Sequence, residues 1–137
     1  MSDGGPTNDP AIANDELLYR RLHWKHVSWN PDGSIKKINS NAFQDSGDET
    51  PCSIAIGALL AANGLRPEEL LRDYEGFGLA VFRARDARDC GFGVVPTPRE
   101  GEPAHADLTG DKNPNGPRRK LARRAEILTP PTRPQDS

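Results

Sequence analysis

The stretch from Gly76 to Ala84, GFGLAVFRA, limits what this chain can fold into more than any other. Phe77, Leu79 and Val81 alternate with Gly78, Ala80 and Phe82, so a strand here is apolar on both faces and belongs inside a sheet covered on both sides. The rest of the chain must supply that cover. With 137 residues it supports one core of ordinary size and not two.

The neighbouring segments supply it in turn. Arg85 to Cys90 reads as a helical turn or two closed by Gly91, and Phe92 to Val95 resumes as a strand cut off by Pro96 and Pro98. Pro103 to Gly110, PAHADLTG, fits a short edge strand after a polar loop. Pro117 to Leu128 reads as the last helix, with Leu121, Ala125 and Leu128 on one face.

Towards the N-terminus, Glu16 to Trp29 has a mixed apolar pattern that suits a strand better towards its end. Asn30-Pro31-Asp32-Gly33 is a turn, so Ser34 to Phe43 makes the second arm of a hairpin. Thr50-Pro51 reads as a helix start with proline at the first helical position. Periodicity leaves Ser53 to Ile56 open: the run to Asn63-Gly64 is one buried helix, or a strand leading into one. Pro67-Glu68-Glu69 opens a second helix, which Gly76 stops.

These segments predict an α+β fold, a small mixed sheet with two to four helices packed on it, over residues 15–128. Residues 1–14 and 129–137 are rich in Gly, Pro, Asp and Asn or Pro, Thr and Asp, with little to bury, and are expected to be disordered tails.

Charge narrows the function classes. Eighteen basic and 20 acidic residues leave a formal net charge of -2, which excludes polyanion binding through the overall field and leaves only local patches. No basic segment followed by an apolar run opens the chain, and no run of about eighteen apolar residues occurs. A cytoplasmic protein without a membrane partner is expected, and its two cysteines, Cys52 and Cys90, are expected to be reduced and buried.

Candidate chemistry is sparse. His23, His26 and His105 are the side chains that ordinarily titrate near neutrality. No CxxC or HExxH spacing joins them to a metal, and no phosphate loop or dinucleotide spacing follows Gly76-Phe77-Gly78 or Gly91-Phe92-Gly93, so neither metal nor cofactor is implied. His105 lies two residues before Asp107, and on a strand the carboxylate shares its face and can orient the imidazole. The bland alternative is a histidine that caps a carbonyl or faces water.

Pro117 to Arg124 concentrates Arg118, Arg119, Lys120, Arg123 and Arg124, and Arg20 and Arg21 with Lys25, Lys36 and Lys37 add a second basic group. Trp24 and Trp29 offer stacking surfaces beside it. Two readings follow. One is an accessory or interaction domain that binds a protein partner, or a nucleic acid through the basic helix. The other is a small enzyme acting on a nucleotide or nucleic-acid phosphate, with His105 as acid or base, Asp107 orienting it, and Arg20, Arg88 or Arg118 on the phosphate.

Leu18-Tyr19-Arg20-Arg21, Ala87-Arg88 before Gly91, Val94-Val95-Pro96 and Pro103-Ala104-His105-Ala106 together resemble a group of small bacterial proteins. The resemblance covers most of residues 15–128 and brings no activity, fold or ligand with it. It implies a bacterial origin and an accessory role beside a larger effector.

Overall fold

The computed structural model describes residues 7–45 and 51–134. Its centre is a six-stranded sheet formed by β1 (Leu17–Leu22), β4 (Cys52–Ile56), β5 (Gly78–Arg83), β6 (Gly93–Pro96), β7 (His105–Thr109) and β8 (Glu126–Thr129). The strands lie in the order β6-β7-β4-β1-β5-β8, and each neighbouring pair is antiparallel. A separate hairpin pairs β2 (Val27–Trp29) with β3 (Ile35–Ile38). Its turn is the expected one: Asp32 accepts the Ser34 amide, and Gly33 takes the positive φ that a side chain resists. Helices α1 (Gly57–Ala62), α2 (Ala84–Asp89) and α3 (Asn115–Arg124) complete an α+β fold.

The sheet has two unequal faces. Leu18, Leu22, Ile54, Phe82, Val94 and Leu108 point to one, where they meet Phe43, Ala87 and Leu121 beneath the hairpin, α2 and α3 in a continuous buried core. Tyr19, Ala55 and Leu79 point to the other, where a smaller cluster forms with Leu60 of α1 and Ala104. The 3-10 turn Pro67–Leu71 adds Leu70 and Leu71 to its border. We call these the closed and the open face.

β5 is an interior strand, as its two apolar faces require. Gly78 sits where an added Cβ would collide with the backbone of Thr129 and Pro131, so the C-terminal segment packs directly on it. Gly91, at φ +89°, closes α2. β5 and β6, read from sequence as a strand, short helix, strand unit, are not neighbours. The chain through α2 carries them to opposite sides of the sheet, with β1, β4 and β7 between.

Three expectations are corrected. Thr50 lies outside the described residues; of the two readings open for Ser53 to Ile56 the strand leading into a helix is the one found, so the helix begins at Gly57 and not at Pro51. The strand's alternation sends Cys52, Ile54 and Ile56 into the closed-face core between β1 and β7, and that burial outweighs proline's local preference for a helix start. The strand containing His105 is interior rather than an edge, because β7 pairs with β6 on one side and β4 on the other. The last helix ends at Arg124, and Leu128 is 46% exposed on β8 rather than buried on the helix. There the open edge of β5 takes Glu126–Thr129 as a ladder partner, which a further helical turn cannot be.

The segments read as tails also make contacts where they are described. The Asp9 amide donates to the Val94 carbonyl, and the Thr132 amide to that of Gly76. Residues 1–6 and 135–137 lie outside the described residues.

The unequal faces predict unequal mutational costs. Phe43 is fully buried edge-on against Phe82, with ring centroids 5.5 Å apart, so Phe43→Ala should cost about 3–5 kcal/mol. Exposed Leu128→Ala should cost no more than about 0.5 kcal/mol. Denaturant midpoints check both, and equal costs would contradict the burial of Phe43 in the closed-face core and the exposure of Leu128.

Candidate functional site

β1 deals its side chains alternately to the two faces. Leu18, Arg20 and Leu22 go to the closed face, Tyr19 and Arg21 to the open one. Its ladder with β4 holds only Leu18↔Ile56 and Tyr19↔Ala55. Beyond that point Arg20 takes over, donating from Nη1 to the Ser53 carbonyl at 3.0 Å and from Nε to the Ala42 carbonyl at 2.8 Å. Ala55 is also opposite His105 of β7. A row Tyr19-Ala55-His105 therefore crosses the open face, and the single methyl in its middle leaves a trough.

That trough is the floor of a cavity of about 600 Å³. Tyr19, Arg21, Ser53 and His105 line it together with Leu60 and Leu70, and residues 100–104 form another part of its wall.

His105 is buried, and both ring nitrogens are engaged. Nδ1 lies 3.1 Å from the Thr97 carbonyl and 2.9 Å from the Thr97 hydroxyl, and Nε2 lies 3.1 Å from the Ser53 hydroxyl. A carbonyl only accepts, so this geometry assigns the ring hydrogen to Nδ1 and leaves Nε2 as acceptor from Ser53. Asp107 stands two residues along the same strand, opposite Ser53 and Val95. Thr97, not Asp107, holds the imidazole.

Arg21 donates from Nε to the Leu70 carbonyl at 2.6 Å and stacks on the Tyr74 ring at 3.8 Å. Burial pulls its pKa below the usual arginine value, with Tyr74 and Glu102 acting in the opposite direction. Among the described residues no carboxylate comes within ion-pair distance of it. Glu102 is instead paired with Arg99 at 2.6 Å, which holds its carboxyl below the ordinary range. Burial raises the Tyr19 pKa, with Glu68 and Glu16 adding to the effect, so the phenol stays a donor.

The other basic residues singled out from the sequence do not join His105. Arg88 holds the N-terminal segment through Asn8, Asn14 and the Asp9 carbonyl. Arg118 is buried, donating to the Lys112 and Ser40 carbonyls. Arg124 pairs with Asp89 at 2.9 Å, and Lys120 reaches the Asp89 carbonyl at 3.4 Å. Arg119 and Arg123 are exposed on α3. The basic helix thus turns three of its five cationic groups to its own fold.

His23 and His26 are neighbours across the 3-10 turn Trp24–His26, and both cap it: His23 Nδ1 accepts the Lys25 amide, and His26 Nδ1 accepts the His23 amide. Among the described residues no three His, Cys, Asp or Glu side chains converge as metal ligands. Cys52 and Cys90 are free and buried, and burial pushes both thiols up.

Sequence reasoning missed Ser53, Thr97 and buried Lys112, which donates to Asp45 at 2.8 Å. For Ser53 a signal existed in the alternation of CSIAI, where the serine opposes Ile54. Its partner was hidden, because that depends on the register between β4 and β7. Compared with protein-family models, with curated proteins and with solved structures, the chain matches none.

His26 gives the fold an acid limit. Burial first, then the charges of Arg20 and His23, lower its pKa from 6.5 to about 4. Below pH 6.5 the unfolded chain binds the proton first, so this stability is complete above 6.5 and is lost as pH falls towards 4. The shift corresponds to about 3 kcal/mol, and discounted for the partial exposure of the ring a loss of about 2 kcal/mol is expected. Urea midpoints across that range should show it, and His26→Gln should flatten the slope.

Proposed function

We propose that this chain is a small interaction domain whose working surface is the open-face cavity, and that the group it receives is anionic. The carrying observation is Arg21: a half-buried guanidinium that forms no ion pair among the described residues, although Glu69, Asp73, Glu100 and Glu102 share the cavity lining. A charge taken partly out of water needs a counter-charge. An incoming carboxylate or phosphate provides one, and the fork of the guanidinium suits either. The Ser53 hydroxyl and His105 supply polar contacts on the floor.

This places recognition on the cavity rather than on α3, where Asp86 and Asp89 already face Arg124. An accessory role in a bacterial cytoplasm fits the reduced, buried cysteines. No helix among the described residues is long and apolar enough to cross a membrane.

A thermal-shift panel of small carboxylates and phosphates tests the reading. At a hundredfold excess over Kd a bound ligand should add about 2.7 kcal/mol of stability. Arg21→Gln should abolish the shift, and the pair Arg119→Gln with Arg123→Gln should leave it intact. The reverse pattern, with salt-sensitive binding that follows Arg119 and Arg123, would move the working surface to the basic helix.

A further inference from the structure

We propose that Ser53 is an activated nucleophile and that the cavity is an acyl-transfer site for small carboxylic esters. Three observations meet there. The Ser53 hydroxyl lies 3.1 Å from His105 Nε2, the nitrogen that the Thr97 carbonyl leaves free to accept a proton. The imidazole is buried and doubly held, so it cannot turn away from the serine. Both groups line a cavity large enough for a small molecule. Nucleophile, base and orienting group are the parts such chemistry needs, recognised by geometry and not by sequence order.

The position of Ser53 is itself fixed. Its carbonyl is held by Arg20, and its strand is gripped by β7 through the Ser53↔Asp107 register. A hydroxyl on an interior strand with both backbone neighbours fixed is a rigid platform. Tyr19, which lines the same cavity and whose phenol stays protonated, is the donor available to a carbonyl oxygen seated over Ser53.

The reaction balances with water as the one co-reactant. Ser53 Oγ attacks the ester carbonyl carbon, its proton passes to His105 Nε2, and the carbonyl π pair moves onto oxygen. Collapse breaks the bond to the alkoxy group, which leaves with the proton from Nε2 as an alcohol. Water then attacks the acyl-serine, giving a proton to Nε2 that returns to Ser53 Oγ as the acid departs. Thr97 acts as a positioning residue through the imidazole. The preference for an ester that also bears an anionic group rests on the Arg21 reading above, whereas the nucleophile does not.

The test uses the full chain and two kinds of probe. A fluorophosphonate should add one covalent label, mapped to Ser53 by peptide mass, and Ser53→Ala should remove it. His105→Gln should slow labelling about a hundredfold or more. Should His105→Gln fail to fold, Thr97→Val gives a second reading: it removes the hydroxyl contact to Nδ1 and keeps the carbonyl, so labelling should slow by a smaller factor at an unchanged thermal midpoint. Hydrolysis of p-nitrophenyl acetate and of p-nitrophenyl hemisuccinate then separates the two ideas. Loss of both activities in Ser53→Ala, with Arg21→Gln raising KM for the hemisuccinate alone, supports nucleophile and anion anchor together. Ser53-dependent turnover indifferent to Arg21 keeps the nucleophile and removes the anchor. No label on Ser53 in wild-type protein, or a label that ignores His105 and Thr97, overturns the nucleophile even if Arg21-dependent ligand binding is observed.

Discussion

Everything in this structure depends on the two-residue period of β1. Leu17–Leu22 is the strand on which both flanks of the sheet meet, with β4 on one side and β5 on the other. Alternation drives Leu18 and Leu22 into the closed-face core and puts Tyr19 and Arg21 on the open face. A slip of one residue would exchange the two sets, burying Arg21 in the apolar layer and removing its guanidinium from the cavity. The large core under the hairpin, α2 and α3 specifies the register. The cavity inherits its residues from that choice.

Arginine and lysine here hold backbone more than they project a field. Arg20, Arg88, Arg118 and Lys112 all donate to main-chain carbonyls, at a sheet opening, along the N-terminal segment and around the 108–112 loop. Short strands and 3-10 turns leave carbonyls that no regular ladder satisfies, and a long cationic side chain is a donor that can reach them. Counting basic residues therefore overstates the charge available to a partner, and adjacency says little. Arg20 and Arg21 are consecutive, yet one repairs the sheet and the other faces an open cavity.

Much of the fold was legible in the sequence. The two apolar faces of β5, the Pro31-Asp32-Gly33 turn and the closure of α2 by Gly91 follow from local chemistry alone. What escaped was set by pairing over distance. Whether Ser53 to Ile56 was helix or strand depended on whether β1 and β7 would flank it, and the fate of Leu128 on whether β5 still had an open edge. The same holds for the candidate site. His105 was found because histidine is conspicuous, but its partners come from Thr97 across a hairpin and Ser53 on another strand, while Asp107, close in sequence, is not its hydrogen-bond partner.

The strand order also sets a timetable for the chain as it emerges during synthesis. β1 is made first, yet its partners are Ala55 and Ile56 on one side and residues 78–83 on the other. The hairpins β2-β3 and β6-β7 can close as soon as they appear, whereas β1, with its leucines destined for the core, must wait for most of the protein to follow. Pairings so distant fold slowly. The strand that organises the finished molecule is thus the one left longest without neighbours, and it is where a chaperone would have the most to shield.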